Sequence, residues 1–151
     1  MKLVHYTDKP IAQVYATQHQ DDEWLKPSGF WVSDDDAEDS WPKWCIVEDY
    51  NTHRLEIAYE VTLSKEADVL VLTTVEDIKN FTEDYRQPGS SQHVVWYLNW
   101  SRVAEEWDGM VITPYQWSLR LDLDHLWYNG WDCASGCIWS VAAIEKLTRV
   151  K

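Results

Sequence analysis

The chain has 151 residues and 45% hydrophobic content, the length of a single domain, 1–151, with enough apolar material for its own core. Its 26 acids against 13 Lys and Arg give a formal charge of −13, which argues against broad nucleic-acid binding, since that needs a cationic face, and leaves room for a protein partner with a basic surface. Eleven Trp and eight Tyr exceed ordinary usage, and because each ring has one polar end, some are expected to line a site.

Lys2 to Thr7 reads as a first strand with Leu3 and Val4 inward and His5 near its end. Asp8-Lys9-Pro10 turns the chain, and Ile11 to His19 suits a short helix with Ile11, Val14 and Tyr15 on one face. Met1-Lys2-Leu3-Val4 meets His5 and charges at once instead of opening a signal peptide. No stretch approaches the ~18 apolar residues of a membrane span. The expected compartment is therefore the cytoplasm, with Cys45, Cys133 and Cys137 reduced. Residues 21 to 39 concentrate acid: Asp21, Asp22, Glu23, Asp34, Asp35, Asp36, Glu38 and Asp39 against Lys26. That run reads as a solvated rim and the place for a protein partner to touch.

Gly29 to Val32 predicts a strand of aromatic and β-branched residues. Ser40-Trp41-Pro42 predicts a helix start, with Pro where its missing N–H costs nothing, and the helix is expected to reach about Tyr50. His53 to Leu63 alternates as a half-buried strand. Asp68 to Thr73 reads as a central strand. Thr74 to Asp77 has capping spacing ahead of a helix carrying Ile78, Phe81 and Tyr85. Gln87 to Ser91 is a loop, and Val94 to Leu98 is apolar. Asn99 to Trp107 reads as a helix and Met110 to Thr113 as a buried strand. Residues 114 to 131 show no period. Gly136 to Val141 is a last strand and Ala142 to Arg149 a last turn of helix. The fold class expected is α+β.

Several residues can carry chemistry, each with a plainer alternative. His5 can hold hydroxyls, because a neutral imidazole has one donor and one acceptor, or it can cap a sheet end. Trp41 and Trp44 share a helix face and either sandwich a flat ring or pack the core. Asp132, between Trp131 and Cys133, is a carboxylate in an apolar neighbourhood, hence a site candidate or a turn-forming acid. Cys45 is a nucleophile only with a His beside it, and otherwise a packed thiol. Asp122-Leu123-Asp124-His125 lacks the glycine turn and further acid of a calcium loop, the Cys spacing is not that of a zinc knuckle, and no metal is expected.

Together these pieces resemble the ADP-ribosyltransferase fold of the diphtheria-toxin and poly(ADP-ribose) polymerase type, with its His-Tyr-Glu signature, and are similar to its small bacterial and phage members. His5-Tyr6-Thr7 stands where that family has His-Gly-Ser/Thr. Gly29-Phe30-Trp31-Val32-Ser33 leads to Lys43-Trp44-Cys45, as the family's Gly-Ile-Tyr-Phe-Ala leads to Asn-Tyr-Cys, so Trp44 falls at the stacking tyrosine. Asp132 stands before Cys137 to Val141, where the family's acid precedes a late strand, and Trp107-Asp108-Gly109-Met110-Val111 resembles the family's Phe-Asp-Gly-Ile/Val. Tyr6, Trp44 and Asp132 depart from the family's Gly, Tyr and Glu. The resemblance implies a split mixed or antiparallel sheet with short helices, holding NAD bent between its halves. It implies His5 and Asp132 as catalytic residues, and His5, Tyr6, Thr7, Trp31, Ser33, Trp41 and Trp44 as NAD-binding ones. Arg54, Arg102 or Arg120 would serve the pyrophosphate. The activity implied is mono-ADP-ribosyl transfer to a protein, nucleic acid or small molecule. The alternatives are an acidic, catalytically inactive inhibitor or binding protein on the same fold, and an NAD glycohydrolase.

Overall fold

The computed structural model describes residues 1–15, 19–87, 95 and 97–151. Seven strands, β1 (Leu3–Thr7), β2 (Phe30–Asp34), β3 (Ile57–Leu63), β4 (Val69–Leu72), β5 (Gly109–Ile112), β6 (Ser135–Ile138) and β7 (Ile144–Arg149), join in one sheet in the order β4-β5-β6-β2-β1-β3-β7. Only β4 and β5 run parallel; the other neighbours are antiparallel. Helices α1 (Trp41–Glu48), α2 (Val75–Tyr85) and α3 (Trp100–Glu106) complete a mixed α+β architecture. No helix among the described residues is long and apolar enough to cross a membrane.

Both faces of the sheet are covered, because successive strand residues point to opposite sides. Met110 and Ile112 join Ile78, Phe81, Trp100, Val103, Trp127 and Trp131 on one face. Val111 between them joins Leu3, Val32, Val61, Ile138 and Ala143 on the other. α2 starts at the expected capping box: Thr74 Oγ1 accepts from Asp77 N–H, and the Asp77 carboxylate accepts from Thr74 N–H. The apolar stripe Ile78, Phe81 and Tyr85 is buried as its spacing requires. Asn99 caps α3 by accepting from Arg102 N–H.

Four expectations are corrected. The run at Val69 to Leu72 is an edge strand, not a central one. It is apolar because Leu70 and Leu72 face one core and Val69 the other. Residues 142–149 are not helical: a 3₁₀ turn, Val141–Ala143, precedes strand β7. Against Leu63 and Thr62 stand Ile144 and Lys146, so Glu145 is bulged out. That extra residue puts Ile144 and Leu147, three apart, on one core face, and a bulge thereby mimics helical spacing. Thr52–Leu55 is a 3₁₀ turn and β3 begins at Ile57. Residues 11–15 are not helical; the Ile11 N–H instead donates to Tyr59 Oη at 3.2 Å. Residues 16–18 of that expected helix, most of the 87–91 loop, and Val94 and Trp96 lie outside the described residues. The stretch without a period, 114–131, owes this to 3₁₀ turns at Trp117–Leu119 and Leu123–Gly130, which have neither the α nor the β repeat.

Candidate functional site

β1 and β2 are hydrogen-bonded neighbours only at Leu3 to Asp34 and Val4 to Ser33. Beyond that the strands part, while β1 stays paired with β3 as far as Thr7 and β2 with β6 as far as Phe30. His5 occupies the fork. Its Nδ1–H donates to the Trp31 carbonyl at 2.7 Å, and its ring stacks on Phe30 with centroids 4.1 Å apart. The side chain thus satisfies a strand carbonyl where the ladder stops. A cleft of about 390 Å³ opens here. Its lining includes both diverging segments, through His5, Tyr6 and Thr7 on one side and Trp31, Val32 and Ser33 on the other.

The structure brings His5, Tyr6, Thr7, Trp31, Ser33, Trp41 and Asp132 to this one cleft. Trp44 is not among the lining residues. It stacks behind Trp41, centroids 5.3 Å apart and planes 15° from parallel, and Tyr50 meets both rings edge-on. Trp41 therefore presents the helix's aromatic face to the cleft. The reason lies in α1: its N-terminus is tied to β2, the Trp41 N–H donating to Ser33 Oγ at 3.0 Å, so the first turn stands nearest the opening and Trp44 one turn back.

Three of the lining hydroxyls are already engaged. Ser33 Oγ donates to Asp35 Oδ1 at 2.8 Å, Tyr6 Oη donates to Asp35 Oδ2 at 2.5 Å, and Thr7 Oγ1 accepts from Lys9 N–H. Tyr6 and Ser33 thus hold the wall through Asp35. Burial, and then the Asp35 carboxylate, push the Tyr6 phenol well above its usual pKa. Trp31 is fixed from behind by an edge contact with the buried Trp131, 5.0 Å between centroids.

His5 and Asp132 keep capacity for a ligand. Burial holds the His5 pKa below its usual value, aided by the nearby Arg54 charge and opposed by the Trp31 carbonyl, so the ring is neutral near pH 7. With Nδ1 donating, Nε2 is left as an acceptor. Asp132 is half-buried, and its carboxylate has no hydrogen bond or ion pair among the described residues. Burial raises its pKa; Arg120 and Lys26 pull it down, and Glu48 adds to the rise. Cys45 and Cys133, both buried, are pushed up to about 11 and about 12, chiefly by burial, which disfavours their thiolate forms and fits packed thiols.

The acidic run is not simply a solvated rim. Asp34 is 4% exposed and accepts from Lys2 N–H, Asp36 N–H and Thr113 Oγ1. Asp35 bridges Tyr6 and Ser33, Asp39 accepts from Tyr115 N–H at 3.0 Å, and Asp22 accepts from Ser101 N–H and Oγ. Asp21, Glu23, Asp36 and Glu38 are the exposed members. At 122–125, Asp122 accepts from Asp124 N–H and is bonded to His125 Nδ1 at 2.9 Å, a turn cap. No metal-ligating cluster occurs among the described residues. Of the candidate pyrophosphate residues only Arg54 lines the cleft; Arg102 pairs with Glu106 and Arg120 stands over Trp117. Sequence reasoning passed over Lys26, Tyr50 and Asn51, which also line it. Lys26 had one signal, as the lone cation of an acidic stretch; Tyr50 and Asn51 had none, lying in the turn after α1.

No protein-family model, curated protein or solved structure matches the chain.

Proposed function

We propose that the cleft binds NAD and transfers its ADP-ribose group, the reading implied by the resemblance to ADP-ribosyltransferases. One observation carries it. A neutral imidazole with a free acceptor, a flat indole face and an unpartnered carboxylate, His5, Trp41 and Asp132, line a single cleft, with Trp41 standing there in place of Trp44, which the resemblance put at the family's aromatic position. The cleft forms where two central strands part, which is compatible with the split sheet that the resemblance implies.

In this reading His5 Nε2 accepts from a ribose hydroxyl. The nicotinamide ring lies on Trp41, backed by Trp44, a contact of about 1 kcal/mol beyond burial. Asp132 accepts from another ribose hydroxyl. As the bond from ribose C1′ to the nicotinamide nitrogen breaks, its electron pair leaves with nicotinamide and positive charge develops on the ribose. The Asp132 carboxylate stabilises that charge, the more strongly for being half-buried. The acceptor nucleophile then bonds to C1′ and gives up its proton to solvent. Tyr6, Thr7 and Ser33 shape the wall.

The test is nicotinamide release from NAD, together with labelling of cell lysate from NAD labelled in its ADP-ribose half. Release with a labelled acceptor supports the transferase, and release without one identifies a glycohydrolase. No release from a folded protein, in either condition, overturns both. The binding-protein alternative rests on the charge of −13 and the acidic run, in which Asp22, Asp34, Asp35 and Asp39 have internal roles while Asp21, Glu23, Asp36 and Glu38 are exposed to a partner.

A further inference from the structure

We propose that Lys26 and Arg54 form a two-point clamp for the phosphates of the ligand in this cleft, making it selective for phosphorylated nucleosides. The proposal rests on the NAD reading and assigns its diphosphate to residues.

A chain of charge −13 repels anions at long range, so an anionic ligand needs local cations. Of the other arginines, Arg86 pairs with Glu83, Arg102 pairs with Glu106, Arg149 donates to the Lys151 carbonyl, and Arg120 lies over Trp117. Lys26 and Arg54 line the cleft, and neither has an ion pair among the described residues. They stand on different segments of the chain. The Lys26 stem runs against Gly130, where an added Cβ would sit 3.0 Å from the Lys26 Cβ. Its ammonium stands 5.1 Å from the Trp31 ring centroid, a cation–π placement that aims an otherwise flexible chain. Arg54 belongs to the 3₁₀ turn Thr52–Leu55, fixed by its N–H donating to Asn51 O at 2.8 Å and by the buried Leu55.

Each cation also sits beside a different reactive group. Arg54's charge is felt at His5, and at Asp132 the charge of Arg120 is felt first and that of Lys26 second. Yet Lys26 and Asp132, of opposite charge and lining one cleft, are not joined by an ion pair. A space bounded by an unpaired cation and an unpaired carboxylate suits a ligand that satisfies both. A phosphorylated sugar does so: its phosphate oxygens accept from Lys26, and its hydroxyls donate to Asp132. Two cations lining one cleft, Lys26 beside Trp31 and Arg54 in the Thr52–Leu55 turn, can each take a phosphate, and Arg54 adds a planar fork that meets phosphate oxygens in pairs.

The experiment measures dissociation constants by calorimetry for ADP-ribose, for nicotinamide riboside, which lacks phosphate, and for inorganic pyrophosphate. It compares wild type with Lys26→Gln and Arg54→Gln. Both residues are exposed, so both variants should melt like wild type. Each substitution is expected to weaken ADP-ribose by about tenfold, the loss of one charge-assisted hydrogen bond, and to leave nicotinamide riboside unchanged. Unchanged ADP-ribose affinity, or equal losses for ADP-ribose and nicotinamide riboside, overturns the clamp. Should neither nucleoside compound bind wild type, the NAD reading fails by itself. Pyrophosphate binding that both variants lose then upholds the clamp, and no pyrophosphate binding overturns it as well.

Discussion

At the scale of single residues, function and stability pull Asp132 in opposite directions. Its carboxylate is the least compensated charge in the cleft, because burial raises its pKa above the ordinary 3.8. Asp132→Asn is expected to lower nicotinamide release by about 10²–10³-fold, the scale for losing one preorganised electrostatic contact. The same change should raise the melting temperature at pH 7. The folded state holds the proton more tightly than the unfolded one, so the ionised residue subtracts stability above its raised pKa. Below 3.8 both states are protonated and the subtraction vanishes. The advantage of Asp132→Asn should therefore shrink as pH falls toward 4 in paired thermal melts. His5 has a lowered pKa, and its sign differs. Its contribution is complete above the ordinary 6.5 and declines as pH falls through the lowered folded value, because the unfolded chain takes up the proton first. Urea midpoints from about pH 7 to pH 5 should drop more steeply for wild type than for His5→Gln; parallel curves would show that His5 is not held neutral by the fold.

At the scale of elements, α1 separates a ring that lines the cleft, Trp41, from a ring that stacks behind it, Trp44. Trp41→Ala is expected to raise the KM for NAD about fivefold, the loss of one stacking contact. Trp44→Leu keeps a bulky apolar backing and should change KM by about twofold or less, while lowering stability by about 1 kcal/mol. A larger KM effect for Trp44→Leu would mean that Trp44 itself reaches the ligand. The sequence spacing identified this face and not which ring leads, since Trp41 and Trp44 share it. The leading ring is decided by the long-range bond from the Trp41 N–H to Ser33 Oγ. Other elements divide similarly. The capping box at Thr74 and the stripe Ile78, Phe81, Tyr85 are local patterns and could be read directly. β7 was misread because its bulge at Glu145 gives Ile144 and Leu147 helical spacing, and only pairing with β3 reveals it. Glu145→Ala, at an exposed position, should cost about 0.5 kcal/mol or less. Deleting Glu145 leaves Ile144, Lys146 and Leu147 opposite Leu63, Thr62 and Val61 in an unbroken ladder with Ile144 and Leu147 still on the core face, and should likewise cost about 0.5 kcal/mol or less, read from denaturant midpoints. Of the residues read together from the sequence, His5, Trp31, Trp41 and Asp132 line one cleft, whereas Trp44, placed by the resemblance at the stacking position, stands behind Trp41. The parting of β1 from β2 that creates the cleft was not legible in the sequence, because it depends on which strand pairs end early.

At the scale of the whole molecule, the charge of −13 is distributed in two populations that should respond oppositely to neutralisation. Asp34 is a buried acceptor for two backbone N–H groups and the Thr113 hydroxyl. Asp34→Asn replaces an ionised acceptor with a neutral amide whose NH₂ faces donors, and should cost about 1–3 kcal/mol. Glu23 and Glu38 are exposed and their carboxylates make no hydrogen bond or ion pair among the described residues, so they contribute to repulsion across the compact state. Glu23→Gln and Glu38→Gln should each leave the melting temperature unchanged or raise it slightly. Added salt acts on the same repulsion, because the screening length falls to about 10 Å at 0.1 M. Raising NaCl from about 0.02 to 0.2 M should therefore stabilise wild type, and the double variant Glu23→Gln/Glu38→Gln by less. A salt-independent melting temperature would mean that the acids are balanced locally throughout, as Asp36 is by the N-terminal amine 3.1 Å away. An equal response in the double variant would place the repulsion among the other exposed acids. The two measurements together separate acids that serve as internal hydrogen-bond acceptors, such as Asp34, from those that stand free on the surface.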